Sequence, residues 1–208
     1  MNAGSERRLL DGAAGAIEIA LDWPANDTLK NGLLRGLACI GHPHPLYGGT
    51  LDNKVVQTMA KAFVALGYCA LRLNFRGVGA SEGVFDEGRG EVEDFLALAD
   101  YGRRTYRGSE FAVGGFSFGG FIAAAAAQQL APRHLVLAAP AVGRFPVGNV
   151  PENTLVIHGE EDDVVALKDV LDWARPQALP VIVFPGAGHF FHGSLVTLQR
   201  VVEQHCRT

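Results

Sequence analysis

No stretch of this 208-residue chain approaches the ~20 consecutive apolar residues that a bilayer-spanning helix requires. The start, Met1 to Leu10, is polar and charged, and Glu18 and Asp22 interrupt the first apolar stretch, so no signal-peptide core is recognisable. No cluster of five or more basic residues occurs, and a net charge of -4 with a pI near 6.0 gives no electrostatic reason to expect nucleic acid or an anionic membrane as partner. Cysteines are few: Cys39, Cys69 and Cys206 are an odd number without metal-type spacing, and two of them sit in apolar runs where a reduced, buried thiol is expected. Repeats, linkers and low-complexity segments are missing as well. These absences predict a soluble cytoplasmic protein, a single domain over 1–208, with no metal and no cofactor. No motif speaks to its oligomeric state.

What is present suits a compact core. Hydrophobic residues make up 48% and charged residues 19% of the chain. Strand-like and helix-like segments alternate, the pattern of a mostly parallel α/β sheet with helices on both faces. Ile17 to Leu21 alternates and reads as an early edge strand. Gly36 to Gly41, Tyr68 to Phe75, Phe111 to Phe116, His134 to Ala139, Thr154 to His158 and Val181 to Phe184 read as further strands. Helical stretches are expected over Leu51 to Leu66, Gly90 to Tyr106, Phe118 to Leu130, Leu167 to Trp173 and Leu195 to His205. The five alanines Ala123 to Ala127 imply a helix packed closely on every side.

The most informative stretch is Gly115-Phe116-Ser117-Phe118-Gly119-Gly120, between an apolar run and the alanine-rich helix. A serine in a G-x-S-x-G turn between strand and helix has a strained backbone that holds Oγ out at the carboxyl edge of the sheet. Its flanking residues must be small, because a Cβ there would clash. Such a serine becomes a nucleophile only if a base takes its proton, and histidine is the usual base. Of seven histidines, His189 follows the last predicted strand in Pro185-Gly-Ala-Gly-His189. Its glycine neighbours favour it over His192, which is read as supporting. An acid is needed to orient the imidazole. Glu160-Glu-Asp-Asp163 leaves a buried strand between serine and histidine in chain order; as an acidic run it is ordinarily a solvated loop, yet its place favours Asp162, with Asp163 as the alternative.

An oxyanion hole needs two backbone N–H groups. Phe118, at the start of the helix, is the first. The second is expected from His42-Pro-His-Pro-Leu-Tyr-Gly-Gly49, where Pro43 and Pro45 cannot donate and His44 or Leu46 can. His42 and His44 lack third and fourth partners for a metal. Gly77, Gly79 and Gly83 narrowly miss a dinucleotide fingerprint, so Asn74 to Ser81 reads as architecture, with Arg76 pairing to pin the loop. Phe116, Phe118, Phe190 and Phe191 are expected mainly in the core, one or two of them against an acyl pocket.

Five segments carry a specific resemblance: His42 to Gly49, Asn74 to Ser81, Gly115 to Gly119, His158 to Asp162 and Gly186 to His189. In this order, each at a strand end, the chain resembles the α/β-hydrolase superfamily from about Ile17 to His205. It is most similar to small lidless bacterial members related to dienelactone hydrolases and carboxylesterases. The resemblance implies an α/β-hydrolase fold, Ser117 as nucleophile, Asp162 as acid and His189 as base. A small-molecule ester is the expected substrate, with thioesterase, peptidase or acyltransferase action on the same triad, or a non-catalytic ligand-binding protein, as the alternatives. Serine stands where dienelactone hydrolases proper have cysteine, which sets this chain apart from them. Many hydrolases of this architecture insert a helical lid after the strand ending near Ala139, where this chain has only about 14 residues. An open site without a lid domain is therefore expected, with Ser117 Oγ facing solvent.

Overall fold

The computed structural model describes residues 5–29 and 31–207. The ends of the domain expected over 1–208 lie outside the described residues. Eight strands form one sheet: β1 (Ser5–Gly12), β2 (Gly15–Asp22), β3 (Gly36–Gly41), β4 (Tyr68–Leu73), β5 (Glu110–Phe116), β6 (His134–Ala138), β7 (Leu155–Gly159) and β8 (Val181–Phe184). Their spatial order is β1-β2-β4-β3-β5-β6-β7-β8. From β4 to β8 every pairing is parallel, while β1 and β2 form an antiparallel hairpin laid antiparallel against β4.

Here one expectation is corrected. Ile17 to Leu21 belongs to β2, which lies inside the sheet; the edge is β1, a strand of the charged N-terminal region. β1 carries no apolar period because most of its residues are exposed. Arg7 instead reaches Glu18 and Asp52, and Arg8 reaches Glu6 and the Tyr101 hydroxyl. Charged side chains of this kind suit a sheet edge that must not pair with another chain.

Among the described residues five α-helices cover the sheet: α1 (Lys54–Ala65), α2 (Arg89–Thr105), α3 (Phe118–Leu130), α4 (Leu167–Ala174) and α5 (Leu195–His205). The period of two in the strands divides the core. Ala38 and Ile40 of β3 point with Val136 and Ile157 toward α1 and α5, where Met59, Phe63, Leu198 and Val202 complete one layer. Leu37 and Cys39 point with Leu71 and Val113 toward α2 and α3, against Phe95, Leu98 and Ile122. Val156 meets α4 through Val170 and Ala174. Asn53 starts α1, its side-chain oxygen accepting from Val55 and Val56 N–H at 2.9 and 3.4 Å. Helix α3 is buried nearly all round, since alanine and glycine let it sit tightly on β3, β5 and β6.

The chain runs from β3 to β4 on one side and returns to β5 on the other. This reversal opens a crevice at the carboxyl ends of β3 and β5, where open α/β sheets place their ligands. Between β6 and β7 no helix is inserted. That segment is tied down by Trp173 Nε1–H to Val147 O at 3.0 Å and by Val150 N–H to Gln177 Oε1 at 2.9 Å. Among the described residues no helix is long and apolar enough to cross a membrane.

Candidate active site

The turn from β5 into α3 carries Ser117 at φ 56° and ψ -117°, a conformation that a side chain adopts only when its surroundings impose it. Four backbone bonds impose it. Ser117 N–H donates to Ala138 O at 2.9 Å, and Ser117 O accepts from Gly120, Phe121 and Ala141 N–H at 2.9, 3.3 and 3.1 Å. A Cβ on Gly115 would run into Gly119 O, and one on Gly119 into Gly41 O, so both glycines are required by space.

His189 arrives from the loop after β8. That loop is strapped to the one after β7 by Glu160 N–H to Phe184 O at 3.0 Å and Glu161 N–H to Ala187 O at 2.9 Å. The two loops bring three side chains into line. His189 Nε2 lies 3.0 Å from Ser117 Oγ, and its Nδ1 lies 2.7 Å from Asp162 Oδ2. With the carboxylate accepting at Nδ1, Nε2 is left free to accept the serine proton. Asp162 Oδ1 accepts from Val164 and Val165 N–H at 2.9 and 2.8 Å. Burial pushes the Asp162 carboxyl up, but the hydrogen bonds from His189 and the two amides outweigh it and hold the group below its ordinary range. Asp163 is exposed, and exposed His192 lies beside Phe190.

Ser117 is 7% exposed and forms part of the wall of a cavity of about 310 Å³, so it lies inside a recess instead of on an open face. The wall is completed by the loop after β3, with His44, Tyr47, Gly48 and Gly49, and by Arg144, Val164 and Phe190. Of the four phenylalanines singled out in the sequence, Phe116, Phe118 and Phe191 are fully buried and only Phe190 reaches the cavity.

The two expected oxyanion donors of the β3 loop are not equivalent. Leu46 N–H donates to His44 Nδ1 at 3.2 Å, while His44 caps a short 3-10 turn over Pro45–Tyr47. Leu46 N–H is thus engaged within the loop itself. His44 N–H and Phe118 N–H have no acceptor among the described residues. His42 is fully buried; its Nδ1–H donates to Pro43 O and its Nε2 accepts from Phe75 N–H at 3.0 Å. Both ring nitrogens are occupied, and burial lowers its pKa to about 4. Arg76 grips Asp94 through Nε and Nη2 at 3.0 and 2.8 Å, a structural pair.

Two residues bear on the site that the sequence reading leaves unassigned. His158, at the end of β7, donates from Nε2 to Val165 O at 2.9 Å, 3.4 Å from Asp162 Oδ2, and its buried Nδ1 has no partner among the described residues. Burial lowers its pKa. Arg144 is the second, and the sequence does hold a signal for it: no other charged residue occurs between Ala139 and Pro151.

A mostly parallel sheet flanked by helices, with a serine on a strand-to-helix turn at its carboxyl edge, defines the α/β-hydrolase fold. A sequence model of the Hydrolase_4 family, described as Serine aminopeptidase, S33, matches residues 48–153, half of the chain. The chain belongs to this family. An α/β serine hydrolase without lid from Xanthomonas campestris superposes with a TM-score of 0.92 at 34% identity, covering 100% of this chain and 95% of that one. An α/β serine hydrolase homologue from Coxiella burnetii gives 0.87 at 35%, covering 99% of each. An uncharacterized protein from Rickettsia prowazekii is 31% identical over 83% of this chain and 79% of its own length. The chain is therefore a hydrolase-family member with a lidless, serine-hydrolase-like fold.

Proposed function

We propose that this protein hydrolyses carboxylic esters of small or accessible substrates through Ser117, His189 and Asp162 by way of an acyl-enzyme. The observation that supports this most directly is the unbroken sequence of hydrogen bonds from Ser117 Oγ to His189 at 3.0 Å and from His189 to Asp162 at 2.7 Å. In this reading Ser117 Oγ attacks the ester carbonyl while His189 Nε2 takes its proton, and the carboxylate of Asp162 stabilises the imidazolium. The oxyanion is received by the unshared N–H groups of Phe118 and His44. His189 returns the proton to the leaving alcohol, and water then attacks the acyl group by the same path, regenerating Ser117.

The family description makes aminopeptidase activity the second reading. An aminopeptidase has to neutralise the free α-ammonium of its substrate, which calls for a carboxylate in the wall. Among the described residues lining the cavity there is none, and Arg144 would repel an ammonium group. The ester reading is the better match.

The test is a panel of 4-nitrophenyl esters of increasing acyl length, run with the wild-type chain and with Ser117→Ala, together with fluorophosphonate labelling. Labelling on Ser117 and a loss of kcat of about 10⁴-fold or more in Ser117→Ala are expected. Full esterase activity in that variant, or labelling of a different peptide, would defeat the proposal.

A further inference from the structure

Arg144 is carried to the cavity by the short connection between β6 and β7, and its place there is built from both ends. Its backbone lies in a tight turn: Val142 and Phe145 form a bridge, Gly143 has φ 79°, and Arg144 and Phe145 N–H both donate to Ala141 O, at 3.3 and 3.1 Å. The Phe145 ring stacks on Phe121 at 5.1 Å and meets Phe118 edge-on at 5.0 Å, anchoring the turn to α3. The side chain is held as well. Arg144 Nε–H donates to Val164 O at 3.0 Å, and Val164 N–H in turn holds Asp162. One backbone carbonyl thus orients the guanidinium within the wall that contains Ser117 and His189.

The terminal nitrogens of this guanidinium have no carboxylate at ion-pair distance among the described residues. Even Asp169, whose carboxylate borders Gly143, does not pair with it. Most other arginines near a carboxylate here do form such pairs, as Arg72 does with Asp22 and Arg76 with Asp94. Burial, and then the field of Arg144 itself, lower the pKa of His44 in the same wall. Among the described residues lining the cavity there is thus one arginine, tethered at Nε, and no carboxylate. A planar anion would meet the terminal nitrogens in a fork of charge-assisted hydrogen bonds, and less side-chain freedom would be lost because Nε is already tied.

We propose that Arg144 is a specificity-determining residue that recognises a carboxylate on the acyl or the alcohol part of the substrate. This rests on the reading of Ser117 as the nucleophile of an ester hydrolase. The preferred substrates are then half-esters or esters of hydroxy- and phenol-carboxylic acids, and neutral esters of the same shape are handled less well.

Two matched pairs of esters test this. In 4-nitrophenyl hydrogen adipate and 4-nitrophenyl hexanoate the charge differs on the acyl side; in 4-acetoxybenzoate and 4-methylphenyl acetate it differs on the alcohol side. For at least one pair, the charged-to-neutral ratio of kcat/KM is expected to fall about 10- to 100-fold on Arg144→Gln. Calorimetric binding of the same esters to Ser117→Ala, with and without Arg144→Gln, reads the anion contact without turnover. Turnover of the esters with both ratios independent of Arg144 would overturn the anion site and leave the hydrolase reading in place. Absence of turnover, with Arg144-dependent binding of a charged ester retained, would overturn the hydrolase reading and leave the anion site standing. Binding and ratios that are both indifferent to Arg144 would end the proposal.

Discussion

At Ser117 the backbone geometry and the neighbouring glycines are one device. The φ of 56° is held by bonds from Ala138, Gly120, Phe121 and Ala141, and these close only because α3 approaches β5 and the end of β3 through Gly115 and Gly119. Gly115→Ala would push a methyl group into Gly119 O, so a loss of about 1–3 kcal/mol in urea unfolding is expected, with a larger loss of the proposed hydrolytic activity because the turn itself shifts. Gly148→Ala, which meets open space, is the control and is expected to stay within about 0.5 kcal/mol. Ser117 and His189 stand out in the sequence because their turns need glycine at fixed offsets. The acid is harder to read. Asp162 and Asp163 are chemically identical neighbours, and burial of one and exposure of the other follow from how the β7 loop folds onto the β8 loop.

The elements repeat this division between what a pattern announces and what packing decides. Strands buried on both faces, such as β3 and β5, declare themselves as apolar runs, and α1 and α5 as helical periods. β1 does not, because an edge strand wet on both sides has no period to show. Arg72 is equally silent. It sits in the middle of β4, 2% exposed, and binds Asp22 of β2 through Nε at 2.7 Å and Nη2 at 3.1 Å while donating to Leu51 O. Ser5 of β1 bonds the same carboxylate, so one buried pair joins β1, β2, β4 and the approach to α1. Asp22→Ala would leave the buried Arg72 with only the half-exposed Asp52, 3.6 Å from its Nη1, as a carboxylate partner. A loss of about 3–5 kcal/mol in denaturant unfolding is expected, and a change under about 1 kcal/mol would show that the pair is not structural.

The whole molecule carries the electrostatic consequence of burying its histidines. His42 has a folded pKa of about 4 against an unfolded value near 6.5, and burial shifts His44, His134 and His158 in the same direction. Between these limits the unfolded chain binds a proton that the folded one refuses, so stability rises with pH and is lost as pH falls from about 6.5 toward 4. From His42 alone the loss between pH 7 and pH 5 is on the order of 2 kcal/mol, seen as a lower urea midpoint; an unchanged midpoint would contradict it. Read alone, the chain determines the alternation of strands and helices, the serine turn, the histidine loop and the absence of a lid. All of these are local: apolar period, glycine at a required offset, and the length of a connection. Tertiary structure alone decides which carboxylate meets His189, that Leu46 N–H is bonded while His44 N–H has no acceptor among the described residues, that Ser117 lies in a recess, and that Arg144 stands in its wall. Each of these depends on contacts between loops far apart in the chain, brought together at one sheet edge by the reversal of strand order at β3.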